Sequence, residues 1–368
     1  VAADQVQQSG LKVVMSGGGT GGHLFPGLAV AQELVRLGGA EVTFIGSGRP
    51  LEADVIGRHG FALETIAVAG LMGRGLAAKF SVLLRLPWAV LRAGRILKRR
   101  GAGLVIGLGG YSAGPVGLAA RRRRVPLVLL EQNVRPGQTN RWLSRFAVRV
   151  FISFTETARD LGEAQCVLTG NPVRREVAAV GDRTRPDDGR FRLRVFGGSQ
   201  GARAINEAMA AGAHALAAAG ARLAVIHQTG PGQAEAVRAA YAAAGIEAEV
   251  SEFIHDMAAA YAAADLAVCR AGATTLAELC AAGVPAVLIP YPFAAAGHQE
   301  ENARALLRAG AAEMILQAEV TGPGLAEMVL KLMDDREALT AMAGAARSLG
   351  RPDAATRIAE ECLRVAGA

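Results

Sequence analysis

The chain has 368 residues, 51% hydrophobic and 20% charged, with a formal net charge of +7. That length exceeds one ordinary core and points to two domains, and the apolar fraction excludes a disordered chain. The four cysteines, Cys166, Cys269, Cys280 and Cys362, form no C-x-x-C pair and no metal-ligand spacing, so a reducing compartment is expected rather than a disulfide scaffold.

The opening VAADQVQQSG lacks the basic-then-apolar pattern of a signal peptide. Leu11–Met15 and Val42–Ile45 then read as strands with a helix at Leu28–Leu37 between them. Helices at Leu83–Arg99 and Pro115–Arg122 alternate with strands at Leu104–Ile106 and Leu127–Leu130. Such alternation predicts βαβ units and a parallel sheet buried on both faces. Gly170-Asn171-Pro172 marks a hinge, and the pattern restarts with strands at Leu193–Phe196, Val225–His227, Leu266–Cys269 and Ala286–Ile289. The accompanying helices are expected near 202–219, 233–244, 274–282 and 299–309, with Gly181–Gly189 as a loop. The expected domains are therefore 1–169 and 170–352, and a last helix, 353–366, packs on one or the other. The uncharged stretches 101–120 and 279–299 are broken by Gly and Pro, which argues against a membrane-spanning helix.

Three glycine-rich turns follow strand-like runs: Gly17-Gly18-Gly19-Thr20-Gly21-Gly22-His23, Gly107 to Pro115, and Gly197-Gly198-Ser199-Gln200-Gly201. Glycine at a strand-to-helix turn lets backbone N–H groups crowd around an anion. Two such sheets would face phosphate from both halves across a cleft. The first turn also fits G-x-G-x-x-G, but the second strand ends Ile45-Gly46-Ser47-Gly48 without the acid that holds a dinucleotide ribose. A nicotinamide cofactor is disfavoured.

His23 closes the first turn, where it serves either as a turn-packing ring or as a general base. Glu131 follows a strand and is either a solvated loop acid or a group that orients His23 or binds a hydroxyl. Thr275 and Glu278 fit a capping box, with Thr275 as the cap; the functional alternative gives Glu278 a ribose diol and the amides of 273–275 a diphosphate. Gln299 reads sugar hydroxyls or caps a helix. No Asp-x-Asp or metal-spaced cluster occurs, so helix ends, amides and arginine are expected to carry phosphate charge. No acid lies between Glu64 and Glu131, and the cations of that stretch interleave with Phe80, Trp88 and leucines. Its alternatives are an amphipathic helix with solvated charges and a surface for anionic lipid. Aromatic residues are only 5% of the chain and no stacking platform is evident, so nucleic acid is not expected.

The motifs GGGTGGHLFPGLAVA (17–31), GLGGYSAGP (107–115), EQN (131–133), GNPVR (170–174), GGSQGAR (197–203), EFIHDMAAAYAAADLAVCRAGATTLAE (252–278) and HQEENA (298–303) closely resemble the MurG family of bacterial N-acetylglucosaminyltransferases. They run in order over almost the whole chain. The resemblance implies an α/β GT-B fold, two Rossmann-like parallel-sheet domains facing a central cleft. It also implies an inverting transfer from UDP-N-acetylglucosamine to the C4 hydroxyl of undecaprenyl-diphospho-N-acetylmuramyl-pentapeptide (lipid I), giving lipid II of peptidoglycan.

Carried over by motif, Ile254 meets uracil, Glu278 the ribose, and Ser199 with Ala273, Thr274 and Thr275 the diphosphate, while Leu276 and Ala277 also belong to the donor site. Arg174 lines the donor site and Gln299 reads the sugar, while Thr20, Gly21, Gly22 and Asn133 close on the donor from the first domain. His23, Tyr111 and Glu131 take the acceptor, with His23 and Glu131 the catalytic pair. Lys79, Phe80, Arg85, Trp88 and Arg92 meet the anionic inner leaflet at the cytoplasmic face of the cell membrane, where wall-synthesis or division proteins are further expected partners. No cofactor or metal is implied. Ala295-Ala296-Gly297 departs from the acids that many relatives carry there. Two other readings remain, a UDP-N-acetylglucosamine epimerase and a non-catalytic nucleotide-sugar sensor. The cationic lipid-facing stretch argues against the first and the second glycine turn with Tyr111 against the other.

Overall fold

The computed structural model describes residues 10–18, 21–67, 76–161, 165–181, 188–198 and 200–367, with side chains of the helix Leu76–Arg100 described from Arg85 onward. They fall into two compact units, one drawn from Val1–Pro172 with Asp353–Ala368, the other Val173–Pro352.

The first unit holds seven strands: β1 Lys12–Gly17, β2 Glu41–Gly46, β3 Ala62–Thr65, β4 Leu104–Gly109, β5 Leu127–Glu131, β6 Arg149–Ile152 and β7 Cys166–Leu168. Every pairing is parallel, in the order β3-β2-β1-β4-β5-β6-β7. The second unit holds β8 Phe191–Phe196, β9 Leu223–Gln228, β10 Ala248–Ser251, β11 Leu266–Cys269, β12 Ala286–Leu288 and β13 Ala312–Met314, again all parallel, in the order β10-β9-β8-β11-β12-β13. Both are doubly wound sheets, so the α/β expectation holds in each.

Central strands such as β4 are buried along their whole length because helices cover both faces. In the first unit one face packs Leu24, Leu28 and Leu34 of the helix Gly21–Gly38 against Val13 and Ile106. The other face packs Ala93, Ile96 and Leu97 with Val116 and Ala120 against Val105 and Leu129. The last helix, Ala354–Ala366, belongs to the first unit: Ile358, Ala359 and Cys362 enter the core beside β1. Thr356 donates to Glu33 at 3.0 Å, and Arg149 donates to Glu361 at 3.3 Å.

Several elements differ from the sequence reading. The first helix begins at Gly21, inside the glycine turn, because that turn winds directly into helix. The helix expected near 202–219 breaks into Arg203–Ala211 and Ala213–Leu216 around Gly212, against which the Gly322 backbone packs. Strands β3, β6, β7, β10 and β13 were not anticipated. Each has only three or four residues, too few for a period of two to declare itself.

Candidate functional site

In each unit the strand order reverses at one point, β1/β4 in the first and β8/β11 in the second. Ligands of open α/β sheets bind beyond the carboxyl ends of the strands at such a point. The first two glycine turns leave β1 and β4, and Gly17 is paired with Gly109 after a register shift at Ser16/Gly17. The third turn leaves β8, and the helix Ala273–Ala282 follows β11, its neighbour in the ladder.

His23 is half-buried at the third residue of the helix Gly21–Gly38. Its ring lies on Gly109, where an added Cβ would fall 2.8 Å from Cδ2 and 2.9 Å from Nε2. Gly109 also has φ 93°, so both space and backbone demand glycine there. Asn140 Nδ2 lies 3.6 Å from the same point. Tyr111 stands in the turn beyond, 44% exposed. Gly21 and Gly22 start the helix, while Thr20 lies outside the described residues.

Glu131 is not a solvated loop acid. It is 2% exposed, and each oxygen accepts two hydrogen bonds. Oε1 takes the Asn133 N–H at 3.1 Å and Asn133 Nδ2 at 3.3 Å; Oε2 takes the Gly137 N–H and Asn140 Nδ2, both at 2.9 Å. Burial pushes this carboxyl above its ordinary value, and the four donors pull the other way. The carboxylate thereby fixes the loop from β5 to the helix Gln138–Leu143.

In the second unit the helix Ala273–Ala282 is capped by Gly272, which makes no side-chain cap hydrogen bond. The capping box read from Thr275 and Glu278 is therefore absent. Thr275 is the third helical residue, and the Glu278 carboxylate points into the protein. Arg174 holds Oε1 through Nε and a terminal nitrogen, each at 2.9 Å, and the Tyr261 hydroxyl donates to Oε2 at 3.1 Å. Burial alone would lower the Arg174 pKa, but the Glu278 charge raises it on balance. Burial, reinforced by Glu278, pushes Tyr261 up, so its hydroxyl remains a donor.

Ala273, Thr274, Thr275 and Ala277 are half-buried. Leu276 is 1% exposed, which leaves only its backbone for any ligand. Ile254 is half-buried in the segment between β10 and the helix Met257–Ala262. Gln299 neither caps its helix nor hangs loose: its Oε1 accepts the Tyr291 N–H at 3.0 Å. In the third glycine turn, Gly201 packs on the Thr229 carbonyl so closely that no Cβ fits. Ser199 lies outside the described residues.

The residues expected to face lipid divide. Arg85, Trp88 and Arg92 are exposed on the helix Leu76–Arg100, while Ala89, Ala93, Ile96 and Leu97 of the same helix are buried. The side chains of Lys79 and Phe80 lie outside the described residues. Arg99 and Arg100, read from the sequence as part of the cationic run, both bind Glu64 Oε1 at 2.7 Å. Among the described residues no helix is long and apolar enough to cross a membrane. Nor does any group of three or more His, Cys, Asp and Glu side chains form a metal site among them.

Three residues escaped the sequence reading. Asn140 completes the Glu131 hub, Tyr261 holds Glu278, and Arg270 ties the Ile289 and Pro290 carbonyls at 3.0 and 3.2 Å, fixing the strand end that leads to Tyr291. Tyr261 and Arg270 lie inside a motif already singled out, but only the fold aims them.

The glycosyltransferase family 28 N-terminal domain matches residues 13–152, and the glycosyltransferase family 28 C-terminal domain matches residues 192–358. The chain is 46% identical over 354 residues to the UDP-N-acetylglucosamine–N-acetylmuramyl-(pentapeptide) pyrophosphoryl-undecaprenol N-acetylglucosamine transferase of Myxococcus xanthus, covering 96% of this chain and 92% of that protein. The protein of that name from Geotalea uraniireducens is 45% identical, with 96% and 98% covered. The crystal structure of Acinetobacter baumannii MurG superposes with a TM-score of 0.79 at 34% identity, covering 96% of this chain and 99% of that one. Two parallel-sheet units of this kind, matched over nearly their full length, make the fold GT-B. The chain belongs to the MurG family of N-acetylglucosaminyltransferases.

Proposed function

We propose that the chain transfers N-acetylglucosamine from UDP-N-acetylglucosamine to the C4 hydroxyl of lipid I, with inversion, forming lipid II for peptidoglycan synthesis. The observation that carries this reading is the 46% identity across 96% of the chain to a transferase of that name. The glycine turns at both sheet reversal points support it, because they offer backbone amides where a sugar diphosphate needs them.

The donor belongs to the second unit. Ile254 faces uracil, the Glu278 carboxylate takes the ribose diol from the position fixed by Arg174 and Tyr261, and the amides of 273–275 with Ser199 take the diphosphate. Gln299, anchored through Oε1, presents its Nε2 to the sugar. The acceptor belongs to the first unit at His23 and Tyr111. As the muramyl C4 oxygen bonds to the anomeric carbon, the bond from that carbon to the diphosphate oxygen breaks, His23 takes the hydroxyl proton and UDP leaves. Amides at the helix N-terminus stabilise charge growing on the diphosphate. Glu131, with both oxygens already accepting two donors, acts as the organiser of this loop rather than as the base. No resident metal or cofactor takes part in this reading.

The lipid tail of the acceptor places the reaction at the cytoplasmic face of the cell membrane, with exposed Arg85, Trp88 and Arg92 against the anionic leaflet and Lys79 and Phe80 beside them. Wall-synthesis or division proteins are the further partners. Incubation with labelled UDP-N-acetylglucosamine and a short-chain lipid I analogue tests the function: a β-1,4-linked disaccharide and stoichiometric UDP are expected. Donor epimerised without acceptor, or donor bound with no product, would replace the transferase reading.

A further inference from the structure

The third glycine turn and the segment that carries Ile254 follow β8 and β10, the two neighbours of β9 in the second sheet. Beyond the strand ends the chains after β9 and β10 stay paired: the Thr229 N–H donates to the Ser251 carbonyl at 2.9 Å and the Gly230 N–H to that of Glu252 at 3.1 Å. The turn lies on the same stretch. A Cβ added to Gly201 would overlap the Thr229 carbonyl, and one added to Gly230 would fall 2.5 Å from the Gln200 carbonyl oxygen. What joins the turn to Glu252 is a side chain, that of Gln228 at the end of β9. Its Nε2 donates to the Gly198 carbonyl at 2.9 Å and to the Glu252 carbonyl at 3.3 Å. Two carbonyls can be served only by the donor end of the amide, so its orientation is fixed and both hydrogens are used. Gln228 is 4% exposed, which keeps it beneath a ligand rather than in contact with one. The Glu252 side chain adds a further tie, its Oε1 accepting the Gly232 N–H at 2.6 Å.

We propose that Gln228 is a positioning residue that sets the spacing between the uracil segment, 252–254, and the glycine turn that takes the diphosphate. The proposal rests on the donor assignment above and deepens it, from which groups meet UDP to what holds them one UDP apart. A ligand with two linked halves gains affinity over either half only when the subsites stand at the ligand's own spacing, because the second contact is then made without further ordering. One amide with a backbone carbonyl on each side supplies that constraint. Gly198 belongs to the turn itself, and Glu252 lies two residues before Ile254. Moving either stretch away from the other would strand a buried amide hydrogen that no water reaches, so the spacing is held against thermal motion. Gln228 thereby favours a nucleoside diphosphate, which spans both subsites, over a nucleoside or a free diphosphate, each of which fills one.

The test is calorimetric and NMR titration of the full chain with UDP, uridine and inorganic pyrophosphate. The wild type is expected to bind UDP far more tightly than either fragment. Gln228→Met keeps the length of the side chain and removes the amide; it should lower UDP affinity about tenfold while each fragment binds within about twofold of the wild type. Gln228→Asn keeps the amide on a stem one methylene too short to reach both carbonyls, and it should give the same pattern, which covers the case of a Gln228→Met chain that does not fold. Leu223→Ala truncates the core at the other end of β9 and serves as the control for stability alone. It should unfold at lower urea and leave the ratio of UDP to uridine affinity unchanged. Uridine affinity that falls as far as that for UDP in the Gln228 variants, or an equal loss of UDP affinity in Leu223→Ala, would overturn the proposal. If the wild type itself binds no UDP, the donor assignment falls with it. If the wild type binds UDP and the Gln228 variants bind it equally well, only the positioning role is wrong.

Discussion

Arg174 and Glu278 stand 104 positions apart and meet in an ion pair of 2.9 Å that joins the first residues of the second unit to the helix after β11. Glu278 is 4% exposed, and Tyr261 closes its other oxygen. An arginine on one oxygen and a hydroxyl donor on the other fix the Glu278 side chain in place.

Glu278→Ala should therefore do two things at once. It leaves a half-buried guanidinium and a buried hydroxyl without their partner, a loss of about 1–3 kcal/mol of stability. It should also weaken UDP binding by roughly 10- to 100-fold, the range for a hydrogen bond to a charged group. Urea unfolding and UDP titration measure the two effects separately. Lost stability with unchanged UDP affinity would reduce Glu278 to a structural anchor for Arg174.

His23 is half-buried against Gly109 while Glu131 is fully buried with four donors, and their substitutions should differ accordingly. His23→Ala should lower turnover by about 10²- to 10⁴-fold, the usual contribution of a general base, with little change in the KM for the donor. Glu131→Gln turns an acceptor oxygen into an NH2 group facing either Asn133 or the Gly137 and Asn140 donors. It should destabilise the fold by about 1–3 kcal/mol. Full stability in Glu131→Gln combined with a collapse of turnover alone would return the carboxylate to the chemistry.

Much of this was legible in the residues. Apolar runs followed by glycine turns located the carboxyl ends of β1, β4 and β8, since a strand covered on both faces cannot hide its composition. The same logic missed β3 and β13, short sheet-edge strands whose residues are mostly half-exposed. Thr275 shows where local pattern misleads. Its spacing to Glu278 matches a capping box, but Gly272 starts the helix earlier and a distant arginine claims the carboxylate. The Glu131 hub was hidden for a related reason. Its donors come from backbone and from Asn140, nine residues on, and no periodicity reports where a loop returns.

The proposed reaction carries its charge on amides and arginine, so chelation provides a direct test. Dialysis against EDTA should leave the rate of disaccharide formation within about twofold, and added magnesium should not rescue Glu278→Ala. A loss of activity with EDTA that magnesium restores would mean that a cation shares the diphosphate, as in transferases that clamp it with metal.

A buried network behind β9 gives the second unit a pH dependence of its own. His227 is fully buried between the Tyr241 hydroxyl and Asn206 Oδ1, each at 3.0 Å. Asn206 Nδ2 donates to Thr229 and Gln233, which identifies its oxygen as an acceptor of the His227 Nε2–H. Nδ1 then accepts from Tyr241, and the ring is neutral. Burial pulls its pKa down to about 3 from the ordinary 6.5. Between those values the unfolded chain binds a proton that the native one refuses, so stability falls as pH drops through 6.5 and goes on falling toward 3. The slope from this one group reaches about 1.4 kcal/mol per pH unit. His227→Gln removes the titration while keeping a donor and an acceptor in the network. Urea unfolding at pH 7.5, 6 and 5 should show a shallower pH dependence for the variant than for the wild type. Parallel curves would mean that His227 is protonated in the native state and that Asn206 or Tyr241 has turned to accommodate it.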